Sequence, residues 1–260
     1  MKKAFLVGIN AYTQSALRGC VNDVNSVFTL LEAKGFAGNI RLITDKDATK
    51  ANILAGLSWL TADVRPGDQL VFHYSGHGSQ VSDSSRDEAD FRDEIICPVD
   101  VFSGNFITDD QLKQAFSLPS GITVDVFLDC CHSGTGLRDF VVEPVENDVV
   151  GNRYLDPSLF DSGIDEEKEF RNSMRDFVLL PTNNITLWSG CRDTQTSADA
   201  YIGGKYCGAF TFSLLEAIKA HPGVSRKQLD KYITASLKSR NFAQVPQLET
   251  DTISGDKVVF

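Results

Sequence analysis

The residues with the clearest chemical potential are a cysteine and a histidine, each next to glycine. Cys131 lies in Asp-Cys-Cys-His-Ser-Gly (129–134) and His77 in Ser-Gly-His-Gly-Ser (75–79). Such a pair can perform thiol acyl transfer, because the imidazole takes the thiol proton and later protonates the leaving amine. The amides of Gly78 and Cys131 are candidates for an oxyanion hole. On the residues alone, a space-filling buried cysteine and a surface histidine remain open alternatives.

Two other chemistries are disfavoured by spacing. A phosphatase loop needs Arg six positions after its cysteine, and Leu137 stands there with Arg138 one place late. A zinc site could use His73 and His77, but they lie on a strand and its following loop and not on one helix face. No Glu follows His73, which weakens the zinc alternative further.

Short apolar runs alternate with amphipathic stretches along the chain. Continuous apolar runs are typical of strands covered on both faces, so we predict the strands 4–9, 40–44, 69–74, 123–129, 185–190 and a last strand in Lys-Val-Val-Phe (257–260). The helical periodicity predicts helices over 21–35, 49–60, 109–116, 209–221 and 225–239. This order indicates an α/β fold with a mostly parallel central sheet and helices on both faces.

The two motifs follow the strands 69–74 and 123–129. Ligands of such sheets bind at the carboxyl ends of the strands, so both motifs should project from the same edge. Residues 137–180 depart from the pattern: they are acidic, weakly periodic and too long for an ordinary connection. We expect them to form an exposed insertion or processing linker within one folded domain.

Composition limits the partners. The chain has 260 residues, a net charge of -10 and six cysteines without a regular disulfide framework. The negative charge disfavours nucleic acid and anionic membranes, and no apolar run approaches the roughly 20 residues of a membrane helix. Met-Lys-Lys before a six-residue apolar stretch is read as the first strand and not as a secretion signal. We therefore expect a cytoplasmic protein with reduced cysteines.

At this point the sequence shows a family resemblance. His-Tyr-Ser-Gly-His-Gly-Ser-Gln (73–80) and Asp-Cys-Cys-His-Ser-Gly (129–134) resemble the two catalytic motifs of metacaspases, which are caspase-like cysteine peptidases of clan CD, family C14. The likeness extends over nearly the whole chain, through segments 6–12, 17–24, 93–100, 107–112, 189–200 and 208–218. It implies a caspase-hemoglobinase-like fold, with a large p20-like portion (1–136), a linker (137–180) and a small p10-like portion (181–260). It also implies that the second cysteine, Cys131, is the nucleophile.

The resemblance further implies an endopeptidase that acts after Arg or Lys in proteins or peptides. The family's specificity pocket carries over onto Cys20, Asp23, Ser75 and Asp129. Two aspartates in a walled pocket would pair with a guanidinium or ammonium group. A solvated helix residue at Asp23 and a hydrogen-bonded strand end at Asp129 are the alternatives.

Many metacaspases are activated by calcium, which binds several oxygen ligands. The matching positions are Asp93, Asp109, Asp110 and Asp139, although Phe91 stands where the family has Gly. Asp109 and Asp110 could instead only favour a helix N-terminus.

The resemblance also implies a monomer that is stored as a zymogen and matures by self-cleavage in 137–180. The possible sites are Arg153, Lys168, Arg171 and Arg175. The lack of a long N-terminal prodomain suggests a minimal form of prokaryotic type, similar to type I enzymes and orthocaspases. The alternative function is a catalytically silent interaction module, which the retained cysteine and histidine disfavour.

Overall fold

The computed structural model describes residues 1–82, 92–131, 151–160, 184–192 and 195–260. Its strands are β1 (Lys2–Gly8), β2 (Ile40–Thr44), β3 (Gln69–Ser75), β4 (Gly78–Ser82), β5 (Arg92–Ile96), β6 (Ile107–Thr108), β7 (Thr123–Asp129), β8 (Gly151–Asn152), β9 (Asn184–Ser189), β10 (Ala198–Ile202), β11 (Lys205–Gly208) and β12 (Gln247–Thr250). Its helices are α1 (Cys20–Leu31), α2 (Lys50–Thr61), α3 (Asp109–Ala115), α4 (Ala209–Ala220), α5 (Arg226–Ser239) and α6 (Thr252–Gly255).

A six-stranded sheet forms the centre of the fold, in the order β12-β9-β7-β3-β1-β2. Only β12 runs antiparallel to its neighbour, so the sheet is mostly parallel as predicted. Helices cover both faces, because successive residues of a strand point to opposite sides. Phe5 packs in one apolar cluster with residues of α2 and α3, whereas Leu6 packs in the other with residues of α1, α4 and α5. The α/β fold with helices on both faces is therefore confirmed.

The motif-bearing strands β3 and β7 are parallel neighbours, with Ser75 opposite Asp129. Both strands end at the same edge, and each motif begins there. The histidine and the cysteine of the two motifs each follow two residues after this pair. The register therefore places His77 and Cys131 in adjacent loops.

Two small sheets lie outside the predicted elements. One has the order β4-β5-β6 and the other β11-β10-β8. The predicted last strand is wrong, since Lys-Val-Val-Phe contributes one isolated bridge, Ser225 with Val258. The sheet edge is instead β12, whose four half-buried residues show no apolar alternation.

The stretch 151–160 lies against the fold, contrary to the exposed insertion that we expected. Arg153 and Leu155 are each 0% exposed, and Pro157 is buried. The prediction failed for this stretch because the acidic composition, weak periodicity and prolines of 137–180 suggested solvent exposure, whereas Arg153, Leu155 and Pro157 are buried in the fold. Within the described ranges, no helix has the length and apolar character needed to cross a membrane.

Candidate active site

The loop after β3 holds His77 by both its backbone and its ring. The backbone N–H of His77 donates to the Tyr12 hydroxyl at 3.0 Å, and its carbonyl accepts from the Tyr74 hydroxyl at 2.7 Å. The Tyr12 ring packs against the imidazole with ring centres 4.6 Å apart. The two tyrosines therefore fix the position of the loop and the plane of the imidazole.

The imidazole of His77 is neutral, and one of its two ring nitrogens is able to accept a proton. Its Nε2 lies 2.6 Å from the Ser15 carbonyl oxygen, which can only accept, so Nε2 carries the proton. Its Nδ1 is buried and has no hydrogen-bond partner among the described residues. Burial lowers the pKa of His77 to about 4, although the hydrogen bond to the Ser15 carbonyl acts in the opposite direction. The free lone pair on Nδ1 can therefore take up a proton.

Cys131 lies two residues after the end of β7 and is 0% exposed. Its Sγ accepts a hydrogen bond from the backbone N–H of Ser197, next to β10. The described part of the chain shows no hydrogen bond between Cys131 Sγ and the His77 ring. The thiol of Cys131 is therefore hydrogen-bonded to the Ser197 backbone and not to the imidazole.

A carbonyl oxygen of the chain itself lies between the two loops. The backbone N–H groups of Gly78 and Cys131 both point at the oxygen of Arg153, with N···O distances of 2.9 and 3.3 Å. Two convergent amides can stabilise the negative charge that develops on such an oxygen during acyl transfer. The peptide bond Arg153–Tyr154 thus lies beside the cysteine, with its carbonyl polarised.

The guanidinium of Arg153 fills a buried acidic pocket. Its Nη2 lies 2.7 Å from Asp23 Oδ2 and 3.0 Å from Asp199 Oδ1. Its Nη1 lies 3.1 Å from Asp129 Oδ2 and donates to the Ser75 hydroxyl at 2.8 Å. One cation thus faces three carboxylates, and the planar guanidinium with its several donors matches this arrangement.

Comparison with known proteins decides the family. Residues 2–139 match the profile described as the metacaspase, peptidase C14 domain. The chain is 34% identical to Metacaspase-1 of Ajellomyces capsulatus over 95% of this chain and 79% of that protein. The chain belongs to the metacaspase family. It is therefore a caspase-like cysteine peptidase.

A second curated protein and a solved structure are also similar to this chain. Metacaspase-1 of Mycosarcoma maydis is 35% identical over 96% of this chain and 70% of its own length. The crystal structure of protein GSU0716 from Geobacter sulfurreducens superposes with a TM-score of 0.73 at 26% identity. That superposition covers 98% of this chain and 97% of the other. The fold of this metacaspase is thus shared by a solved structure over nearly its full length.

The structure brings together all four pocket residues suggested by the metacaspase resemblance. Asp23, Ser75 and Asp129 contact Arg153 directly. Cys20 is buried beside them at the start of α1, and burial raises the pKa of its thiol well above the usual range. Cys20 therefore acts here as an uncharged wall of the pocket.

Two pocket residues of this metacaspase escaped the sequence analysis. Asp199 in β10 contributes the third carboxylate and is itself held by the backbone N–H groups of Arg18 and Gly19. Gly208 donates its N–H to Asp23, and a Cβ there would collide with Asp129 and Arg153. Asp199 belongs to the segment 189–200 that resembles the family, and this resemblance could have drawn attention to it. Nothing in the sequence alone, however, indicated that its side chain lies in the pocket.

Buried hydrogen bonds hold the Asp129 carboxylate in place. Ser197 donates its hydroxyl to Oδ1 at 2.7 Å, and Thr211 donates its hydroxyl to Oδ2 at 2.6 Å. Behind Thr211, the His73 Nε2 lies 3.2 Å from the same hydroxyl. Burial lowers the pKa of His73 to about 4, so this ring is also neutral. His73 and His77 therefore have separate partners and do not share a ligand, and no group of three metal-binding side chains converges in the described part of the chain.

Of the suggested calcium ligands, Asp93, Asp109 and Asp110 lie on β5 and the first turn of α3. The Asp109 carboxylate is 5% exposed, and its Oδ1 accepts no hydrogen bond from the described residues. A buried carboxylate oxygen of this kind fits a hard cation. The ammonium of Lys113 lies 2.9 Å from Asp109 and 3.2 Å from Asp110, and it supplies positive charge at this place.

Four of the suggested positions lie outside the residues that the structure describes. They are the calcium candidate Asp139 and the cleavage candidates Lys168, Arg171 and Arg175. Arg153 is the one cleavage candidate that the described ranges contain. Its placement at the cysteine is therefore the observation that bears on processing.

Proposed function

We propose that this metacaspase is an endopeptidase that cleaves after Arg or Lys and that it first cleaves its own Arg153–Tyr154 bond. The single observation that carries the proposal is that both the side chain and the backbone carbonyl of Arg153 are bound by the fold. Its guanidinium contacts three buried carboxylates, and its carbonyl oxygen accepts from Gly78 and Cys131. This is the arrangement that a substrate residue before a cleaved bond requires.

The acidic pocket explains the preference for a basic residue. Buried carboxylates without a counter-charge are costly, so a cation in the pocket is strongly favoured and an acidic side chain is repelled. Burial raises the pKa of Asp23 to about 6, while Arg153 opposes the rise. The bidentate contacts favour Arg over Lys, because an ammonium is a single point charge that reaches fewer partners.

The proposed reaction begins when Cys131 gives its thiol proton to Nδ1 of His77. The thiolate attacks the carbonyl carbon of Arg153, and the amides of Gly78 and Cys131 stabilise the resulting oxyanion. The oxyanion collapses, the Arg153–Tyr154 bond breaks, and His77 returns the proton to the leaving nitrogen. Water, deprotonated by His77, then hydrolyses the thioester and releases the carboxylate of Arg153 together with the free thiol. The same steps apply to a substrate in trans once Arg153 has left the pocket.

The occupied pocket also accounts for storage as a zymogen. An external basic side chain cannot enter while Arg153 contacts Asp23, Asp129 and Asp199. Cleavage converts the tether into a free chain end, which can leave and open the pocket. We therefore propose that activity in trans follows self-cleavage.

We further propose that calcium stimulates the enzyme by binding to Asp93, Asp109 and Asp110, which the ion would draw together, because the described residues hold no preformed group of three metal-binding side chains. The buried, unpartnered Oδ1 of Asp109 supports a cation there. Binding would displace the ammonium of Lys113, because calcium replaces its charge and accepts more oxygen ligands. Asp139 remains a suggested ligand on family resemblance alone.

The direct test compares an Arg-ended and an Asp-ended fluorogenic peptide, each with and without calcium. We expect turnover of the Arg-ended peptide, its loss in Cys131→Ala and its retention in Cys130→Ala. Cys130→Ala makes the same chemical change one residue away and is therefore the matched control. Equal turnover of the two peptides would refute the specificity, and activity of Cys131→Ala would refute the assigned nucleophile.

A further inference from the structure

The segment that follows the proposed cleavage point is also bound by the fold. Tyr154 forms a parallel bridge with Gly78, and the Leu155 N–H donates to the Gly78 carbonyl at 2.9 Å. The Leu155 carbonyl accepts from the hydroxyl of Ser79 at 2.6 Å, and Ser79 is itself 0% exposed. Backbone recognition thus continues for two residues beyond the bond.

The side chains of these two residues have different surroundings. Tyr154 is half-buried, whereas Leu155 is 0% exposed and belongs to an apolar cluster with Val81 and Ile95 of the β4-β5-β6 sheet. An apolar pocket that fully encloses a side chain discriminates by size and rejects charge, because a charged group would be desolvated there. The fold therefore encloses the side chain at the second position after the bond much more completely than the side chain at the first.

We infer that the β4-β5-β6 sheet forms a specificity subsite for an aliphatic residue two positions after the cleaved bond. The inference rests on the proposed function, since it assigns the Arg153–Tyr154 bond as the one that is cut. The subsite is a second place, besides the acidic pocket, at which a substrate side chain is recognised. The preferred substrates are extended segments in which Arg is followed, two residues later, by Leu or a residue of similar shape.

The alternative is that residues 154–160 are a permanent part of the core and leave no groove for other chains. Backbone pairing favours the subsite. Leu155 joins Gly78 through the same hydrogen-bond pattern that brings the Arg153 carbonyl to Gly78. A substrate that places its carbonyl there continues along the same edge and brings its second following residue to the position of Leu155.

The test uses the self-cleaved wild-type enzyme and internally quenched peptides that span 151–158. The parent peptide is compared with Leu155→Asp and with Tyr154→Asp, which adds the same charge one residue earlier. We expect kcat/KM to fall at least about tenfold for Leu155→Asp, while Tyr154→Asp stays within roughly threefold. An Arg-ended fluorogenic peptide, which lacks these residues, reports the proposed function separately.

Equal rates for the three long peptides, with turnover of the Arg-ended peptide, would overturn the inference alone. Equal losses for the two aspartate peptides would also overturn it, because charge and not the enclosed position would then matter. If the Arg-ended peptide is not hydrolysed, the proposed function fails and the inference fails with it.

Discussion

The carbonyl oxygen of Arg153 lies 2.9 Å from the backbone nitrogen of Gly78, which donates a hydrogen bond to it. This contact joins a residue of the predicted linker to the histidine loop. It places one peptide bond of the chain beside Cys131.

The rate of self-cleavage should depend on the side chain at position 153, in the order Arg, then Lys, then Gln. Arg153→Gln should abolish cleavage of this bond, because a neutral side chain leaves three buried carboxylates without a cation. Arg153→Lys should be cleaved more slowly than wild type but not blocked. The measurement is the fraction of intact chain against time on denaturing gels. Cleavage of Arg153→Gln at the wild-type rate would contradict the assignment.

Loss of the third carboxylate should weaken binding of basic substrates. Asp199→Asn removes the partner that lies 3.0 Å from Nη2, and we expect kcat/KM for an Arg-ended peptide to fall roughly tenfold or more. Most of the effect should appear in KM. Glu216→Gln, which removes an exposed carboxylate paired with Arg240, is the matched control and should leave kcat/KM unchanged. Similar values for Asp199→Asn and the control would show that Asp199 has no part in recognition.

The fold could be predicted in outline because its central strands are nearly continuous apolar runs. Residues 4–8 and 123–129 show this pattern, and the structure places both in the sheet. The edge strand β12 could not be found, since its side chains are half-buried and its partner β9 lies about sixty residues earlier. The small β4-β5-β6 sheet was missed for a similar reason, because its strands are short and pair across loops.

The site was predictable where residue types carry chemistry and unpredictable where geometry assigns the role. His77, Cys131, Asp23 and Asp129 stood in recognisable motifs. Asp199 was missed because its contact with Arg153 depends on the pairing of β8 with β10. The sequence suggested Arg153 as one of four cleavage points, but only its three-dimensional surroundings distinguish it from a solvated arginine.

The calcium proposal predicts opposite effects of two neighbouring substitutions. Asp109→Asn should raise the calcium concentration needed for half-maximal peptide turnover, since it removes a buried ligand. Lys113→Met should lower that concentration, because the ammonium no longer competes for Asp109 and Asp110. Lys219→Met, at an exposed lysine of α4, is the control. A Lys113→Met enzyme with unchanged calcium dependence would argue against this site.

Below about pH 6.5, the free energy of unfolding should decrease as the pH falls, because the buried histidines resist protonation in the folded chain. The pKa of His73 is about 4 in the folded chain, and the ordinary value is about 6.5. Between these values the unfolded chain binds a proton that the folded chain does not, so stability is lost as the pH falls. His73→Gln should make the free energy of unfolding less dependent on pH, by up to about 1.4 kcal/mol per pH unit.

Asp230 provides a control of opposite sign for this measurement. Burial raises its pKa to about 6, so the folded chain binds more protons than the unfolded chain between about 4 and 6. Its contribution to stability is lost as the pH rises through that window. Asp230→Asn should therefore make stability rise more steeply with pH than in the wild type. Identical pH profiles for the wild type and both variants would contradict these assignments.

The most direct measurement is N-terminal sequencing of the fragments formed when the wild-type chain is incubated with calcium. We expect a new N-terminus at Tyr154 that appears first and is absent from Cys131→Ala. Cleavage after Lys168, Arg171 or Arg175 with the Arg153–Tyr154 bond left intact would contradict this expectation. So would an uncut chain that turns over Arg-ended peptides at full rate.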